Sequence, residues 1–254
     1  MKFVLNKKYD SMGNSILENI LGFKKKGIDL VIGNRNTIKL FEIENQRINI
    51  KSFQRPNFLN KIIYDYIRNS KASRSYNYAT KLKAMGIATA EPVAYLEKTN
   101  WIGLKDSYFV SIHIDDVFEL KDVLNDNFFE NRELILRKFV QFTYSIHQKG
   151  ILFLDHSPGN TLIKKNENTN FSFYLVDVNR MKFCRSLNFK TRMKNLSRIT
   201  SNRDVISIMS NEYAKLSGES EAVVFENMWK FTSNFQFRFQ RKKRIKRKIV
   251  FWNK

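Results

Sequence analysis

The sequence predicts an α+β fold of two lobes, a small strand-rich one followed by a larger, mostly helical one. Three observations predict it. Residues 1 to 110 carry five short apolar or alternating runs, at 28–32, 38–43, 48–53, 92–97 and 108–112, with one helical stretch at 70–85. Beyond residue 117 the apolar spacing becomes mostly helical, at 130–148, 189–199, 203–216 and from 220 onward. Three prolines and nine glycines in 254 residues leave few linkers, so the chain reads as one domain. Its parts are an N-terminal lobe (1–110), a hinge (111–116), a C-terminal lobe (117–235) and a basic, aromatic tail (236–254).

In the first lobe, Gly33-Asn34-Arg35-Asn36-Thr37 offers one glycine between two strands. The run 48–53 then alternates with period two, so Ile48, Ile50 and Ser52 share one face and Asn49, Lys51 and Phe53 the other. A strand lysine pointing into a cleft can hold the α- and β-phosphates of ATP. The plain alternative is an edge-strand lysine, in a chain with 45 Lys and Arg. The hinge is where an adenine would lie. In the second lobe, Phe139, Phe142 and Ile146 mark an amphipathic helix that Lys149-Gly150 ends with a glycine C-cap.

After that helix come Asp155-His156-Ser157-Pro158-Gly159-Asn160 and, further on, Leu175-Val176-Asp177-Val178-Asn179-Arg180. Both acids follow apolar runs, 151–154 and 173–176, and a carboxylate there is costly unless it is paired, bonded or bound to a metal. Phosphoryl transfer from ATP needs one carboxylate to take a hydroxyl proton, and an Asn with a second Asp to hold magnesium. Asp-x4-Asn is the spacing of the protein-kinase catalytic loop. The same residues are also ordinary turn material. Their order decides between the two: helix, loop, strand 161–163, polar turn 164–170, strand 173–176, Asp.

The run Lys71 to Ala79, Leu82, Gly86-Ile87 through Pro92-Val93-Ala94, His147 to Ile151, Leu154 to Asn160 and Val176 to Met181 together resemble the lipopolysaccharide core kinases of Gram-negative bacteria. These are the kinases of 3-deoxy-D-manno-octulosonic acid (Kdo) and of heptose. The resemblance spans roughly residues 45 to 185 and keeps its order throughout. It implies a bilobal protein-kinase-like fold, with one main helix in the β-rich lobe, and ATP- and magnesium-dependent phosphorylation of a sugar hydroxyl. By motif it implies Lys51 as the ATP-phosphate lysine, Asp155 as the catalytic base, and Asn160 and Asp177 as metal ligands. Asn77 falls where a glutamate would pair with Lys51, so Asn77 is expected to face Lys51 and share the ATP site. Asn179 replaces the glycine after the metal-binding Asp and is expected to take the positive-φ turn.

Composition supports a folded enzyme with an anionic partner. Hydrophobic content of 43% with 22 Phe supplies a core. One cysteine, Cys184, excludes an internal disulfide and fits a reducing cytoplasm, and the three histidines lack zinc-ligand spacing. The segment 1–8 is too short in apolar residues for a signal peptide, and no window reaches the length of a membrane span. The net charge of +21 concentrates at the C-terminus, where Arg238, Arg241, Lys242, Lys243, Arg244, Lys246, Arg247, Lys248 and Lys254 interleave with Phe235, Phe237, Phe239, Ile245, Phe251 and Trp252. Basic residues mixed with Phe and Trp suit an anionic membrane surface. The plain alternative is a solvated helix end.

The expectation is therefore an ATP-dependent kinase acting on a lipopolysaccharide core glycolipid, cytoplasmic and peripheral to the inner membrane. Another small-molecule or protein kinase of the same fold is the first alternative, because the motifs define the chemistry and not the acceptor. A catalytically weak binding module of that fold is the second. A nucleic-acid binder would need a recognisable module, and the sequence holds none of the usual motifs.

Overall fold

The computed structural model describes residues 1–33, 36–54, 69–101, 103–167 and 170–252, with 246–252 by backbone alone. Asn34 and Arg35 of the glycine-poor loop and Lys254 of the tail lie outside the described residues. The chain divides into two units, 1–116 with 174–180, and 117–173 with 181–254.

The first unit is built on a six-stranded antiparallel sheet in the order β1-β5-β6-β4-β3-β2. The strands are β1 (Lys2–Leu5), β2 (Ile28–Ile32), β3 (Asn36–Ile43), β4 (Gln46–Phe53), β5 (Pro92–Asn100) and β6 (Gly103–Ile112). A two-residue turn, Glu44-Asn45, joins β3 to β4 with both residues at positive φ, 48° and 62°. That geometry matches the right-handed twist of the flanking strands and fixes their register. Lys51 consequently stands opposite Ile38 on one side and Phe109 on the other.

The period-two pattern of β4 sorts its side chains between two packed faces. Ile48 and Ile50 are fully buried with Phe41, Val110 and, from helix α1 (Gly13–Leu21), Ile16 and Ile20. Burying each of those isoleucines contributes roughly 1.5–3 kcal/mol. Phe53 points to the other face, where it packs with Tyr95 and Ala72. Ala72 belongs to α2 (Lys71–Ala84), whose N-cap Ser70 accepts from the Ser73 amide through Oγ at 3.0 Å. Strand β1 and helix α1 have no counterpart among the expected elements. A four-residue strand and a nine-residue helix carry too short a pattern to stand out in sequence.

The second unit is mostly helical. Its elements are β7 (Val117–Glu119), α3 (Leu120–Asn125), α4 (Arg132–Gln148), β8 (Ile151–Phe153), β9 (Thr161–Lys165), β10 (Phe171–Leu175), β11 (Met181–Phe183), α5 (Phe189–Leu196), α6 (Arg203–Ser217) and α7 (Glu221–Trp252). Helix α4 buries Ile135, Leu136, Phe139, Val140, Thr143, Ile146 and His147, a stripe of helical period. Leu196 of α5, Met209 and Tyr213 of α6, and Val224 and Met228 of α7 join its apolar residues in one core. Strands β10, β9 and β7 form a small sheet, and β8 pairs antiparallel with β11, Phe153 opposite Met181.

Helix α4 ends as its sequence dictates. Gly150 takes φ 68°, and a Cβ there would collide with the Cys184 carbonyl oxygen. Its own carbonyl accepts from the Cys184 amide at 2.8 Å, which aligns β8 with β11. Helix α7 runs without a break through residue 236, so the tail continues a core helix. The architecture is thus the α+β arrangement the sequence predicts, an N-terminal sheet followed by a helical C-terminal part.

Candidate active site

Four of the five sequence-predicted residues fall into two pairs, Lys51 with Asp177 in the first unit and Asp155 with Asn160 in the second. In the first unit Lys51 Nζ lies 2.9 Å from Asp177 Oδ1, with the lysine side chain 13% exposed and the aspartate 32%. Lys51 also lies over the Phe53 ring, 5.4 Å from its centroid. The segment carrying Asp177 is tied down at both ends. Leu175 donates its amide to the Ala88 carbonyl at 3.0 Å and accepts from Thr89 Oγ1 at 2.6 Å. Beyond Asp177, the Asn179 carbonyl accepts from Arg74 Nη1 at 2.9 Å.

Two expectations need correction here. Asn77 does not face Lys51: it is exposed and donates Nδ2 to Ser73 Oγ at 3.2 Å. At about 100° per residue Asn77 sits about 140° around the helix from Ala72, which faces the sheet, so the missing glutamate has no substitute there. Among the described residues the ion-pair partner of Lys51 is Asp177 itself. The second correction concerns the turn. Asp177 carries the positive φ, 55°, and Asn179 does not. A non-glycine residue in the left-handed region costs of order 1 kcal/mol, and persists where surroundings hold it. Asn179 Nδ2 donates to Asp177 Oδ1, so the asparagine supports the turn it was expected to make.

In the second unit, the loop after β8 carries Asp155 and Asn160. Pro158–Asn160 form one 3-10 turn. Asn160 donates Nδ2 to the Asp155 carbonyl at 2.9 Å, closing the loop on itself and leaving Oδ1 as its remaining acceptor. The Asp155 side chain accepts from Arg198 Nη1 at 2.9 Å. Arg198 also donates to the Leu154 carbonyl at 3.2 Å, and Asn195 Nδ2 donates to the Phe153 carbonyl at 2.7 Å.

Behind the loop lies a buried polar chain that fixes its own protonation. Asn195 uses Nδ2 on Phe153, so its Oδ1 accepts from His147 Nε2 at 3.0 Å. His147 Nδ1 then accepts from the Tyr213 hydroxyl at 3.1 Å, which requires the neutral Nε2–H tautomer. Burial supports that state by holding the His147 imidazolium down to a pKa of about 4 and pushing the Tyr213 phenol up to about 12. His156 is 1% exposed, ringed by Phe139 and Phe153, and burial lowers its pKa to about 3. Neither of its ring nitrogens has a hydrogen-bond partner among the described residues. It is a packed aromatic rather than an acid or base.

Arg74, Asn195 and Arg198 are the site's neighbours that sequence reasoning missed. Each acts on a loop far away in sequence, and each belongs to a residue type abundant in this chain, so spacing gives no signal. The donors proposed for magnesium fit it chemically: a carboxylate on Asp177 and an amide oxygen on Asn160 are hard ligands, and magnesium completes its shell with phosphate and water oxygens. No cluster of three or more His, Cys, Asp or Glu suited to a metal is present among the described residues.

Residues 31–219 match the sequence model of the lipopolysaccharide kinase (Kdo/WaaP) family. Among solved structures, WaaP in complex with acyl carrier protein aligns with a TM-score of 0.65 at 13% identity, over 95% of this chain and 99% of that one. The ADP/Mg2+-phosphoaspartate complex of the Rio2 kinase from Chaetomium thermophilum aligns at 0.49 and 12% identity, over 91% of this chain and 77% of that one. No curated protein sequence matches the chain. The likeness to WaaP is one of fold.

Proposed function

Because the chain belongs to the lipopolysaccharide kinase (Kdo/WaaP) family, we propose that it transfers the γ-phosphoryl group of ATP to a sugar hydroxyl, of Kdo or heptose, in the lipopolysaccharide inner core. In this reaction the bond from the γ-phosphorus to the β,γ-bridging oxygen breaks, and a bond from that phosphorus to the sugar oxygen forms. ADP leaves, and the hydroxyl proton passes to Asp155. Lys51 holds the α- and β-phosphates, and Asn160 and Asp177 serve as magnesium ligands. Magnesium, when bound, neutralises charge on the β- and γ-phosphate oxygens.

The observation that carries this reading is the meeting of Lys51 and Asp177. They are assigned to phosphate and to its metal by separate motifs, and a 2.9 Å ion pair joins them. A half-buried lysine and carboxylate with charge to share suit a polyphosphate and its cation. The ordered loop at Asp155 supports the same reading, because its backbone is fastened by Asn160 and its carboxylate by Arg198.

Helix α7 extends the proposal to location. Phe237, Phe239 and Ile245 are 63%, 52% and 48% exposed, and Arg238, Arg241, Lys242, Lys243 and Arg244 beside them are exposed too. Exposed apolar groups among cations suit an anionic bilayer, where a glycolipid acceptor would lie. No helix of the described residues is long and apolar enough to cross a membrane. The chain would then work at the cytoplasmic face of a Gram-negative inner membrane, held there without a span.

The test is to incubate the pure protein with labelled ATP, magnesium and Kdo-linked lipid A or a heptose-bearing core, and to locate label by mass spectrometry. Label on a sugar hydroxyl supports the reading. Label on protein substrates alone, or nucleotide binding without transfer, would favour a protein kinase or a binding module.

A further inference from the structure

We propose that Arg198 is a positioning residue for the catalytic base and that Phe235 holds it in that role. This deepens, and rests on, the assignment of Asp155 as the base. Arg198 lies just beyond α5, 43 residues from Asp155 in sequence, and its Nη1 donates to Asp155 Oδ1 at 2.9 Å. The same nitrogen donates to the Leu154 carbonyl at 3.2 Å, and Asn195 donates to the Phe153 carbonyl at 2.7 Å. The end of α5 and the residues just beyond it therefore grip three consecutive residues, the last of β8 and the first two of the loop. Only the grip on Asp155 acts on a side chain, and it acts on the side chain that would take the proton.

A carboxylate on a loop can rotate about its terminal torsion, which is broad and two-fold. Fixing Oδ1 to a guanidinium restricts the carboxylate to one orientation. Positioning of this kind is worth a large factor in rate, because misplacement by about 1 Å can cost roughly 100-fold. The pair contributes little to folding: its side chains are 38% and 23% exposed, and partly exposed ion pairs stabilise weakly. Its placement on the base is thus better explained by orientation than by stability.

The guanidinium needs its own support, and α7 provides it. The Phe235 ring lies 5.7 Å from the Arg198 guanidinium carbon, and Phe235 in turn stacks on Phe239 with centroids 6.2 Å apart. A planar cation over an aromatic face loses rotamer freedom without being neutralised. The residues that steady Arg198 thus sit at the start of the basic extension of α7.

The test is steady-state kinetics on the full-length chain with ATP and Kdo-linked lipid A, for Arg198→Gln, Arg198→Lys, Phe235→Leu, Asp155→Asn and the double variant Asp155→Asn/Arg198→Gln. Melting temperatures are read in parallel. Arg198→Gln is expected to lower kcat about 10- to 100-fold with the KM for ATP and the melting temperature nearly unchanged. Arg198→Lys recovers most of that loss, because a cation still reaches Oδ1. Phe235→Leu lowers kcat a few-fold, and the double variant is no slower than Asp155→Asn alone. Wild-type or faster turnover in Arg198→Gln overturns the proposal, the faster case meaning that Arg198 masks the base. So does a kcat loss that Lys fails to recover and that tracks the melting temperature, or losses that multiply in the double variant. Wild-type turnover in Asp155→Asn removes the assignment of the base itself, and this proposal with it.

Discussion

Lys51 and Asp177 form an ion pair at 2.9 Å inside the first unit, although Asp177 arrives there on a segment that leaves and re-enters the helical unit. Asp177 takes the place beside Lys51 that Asn77 was expected to fill. Lys51 is held straight by Asp177, and Arg74 of α2 reaches the same segment through the Asn179 carbonyl.

Lys51→Met removes the cation and keeps the apolar stem against Phe53. It should weaken ATP binding and lower kcat/KM by about 100-fold or more, as the loss of a preorganised donor to a charged group does. Nucleotide titration checks the first effect and steady-state kinetics the second. Unchanged ATP affinity would detach Lys51 from the phosphates.

Asp177→Ala should weaken nucleotide binding in magnesium far more than binding in its absence, since only the first uses the carboxylate as a ligand. Calorimetric titrations with and without the ion separate the two. Equal loss in both would point to a structural role for the φ 55° turn.

Stability should fall in acid through two buried imidazoles. His147 and His156 have folded pKa values of about 4 and about 3, against an ordinary value near 6.5 in the unfolded chain. Between those values the unfolded state binds more protons, so stability rises with pH there. Their contribution is complete above about pH 6.5 and is lost as pH falls towards 4 and below. Melting temperature should therefore be flat above about pH 7 and decline below it. His156→Leu, which buries no unpartnered nitrogens, should flatten part of that decline; an identical profile in the variant would exclude His156 as a source.

Deleting residues 236–254 should release the protein from anionic vesicles while sparing reaction with a short soluble core sugar. Each Lys or Arg near such a surface contributes about 1 kcal/mol, before screening. Phe235 stays in this variant to contact Arg198, and only its stacking partner Phe239 is lost. Full co-sedimentation of the truncated chain with anionic vesicles would rule out the anchoring role. Steeply salt-dependent RNA or DNA binding by the tail, with vesicles ignored, would support the nucleic-acid alternative.

Much of the fold was legible because its signals are periodic. The alternation of β4 sorts Ile48 and Ile50 into one core and Phe53 into another, and the stripe from Ile135 to Ile146 gives α4. The glycine at 150 was legible because a left-handed cap opposite the Cys184 carbonyl admits nothing else. The motif order also placed Lys51, Asp155, Asn160 and Asp177 on their loops and strand. What sequence could not give was the partner of each charge. Asn77 was misplaced because the helix phase, not the distance to a motif, decides which residue faces the sheet. Arg198 was invisible because its contact with Asp155 depends on how α5 packs, and arginine is common throughout this chain.

Whether Asp155 deprotonates a sugar hydroxyl during transfer from ATP is decided by one paired measurement. Phosphate transfer to Kdo-linked lipid A is followed by mass spectrometry for the intact chain and for Asp155→Asn, with ATP affinity measured for both. The intact chain should transfer phosphate, Asp155→Asn should lose about 100- to 10,000-fold in rate, and the two should bind ATP nearly equally. Transfer by Asp155→Asn at the rate of the intact chain would contradict that role for Asp155.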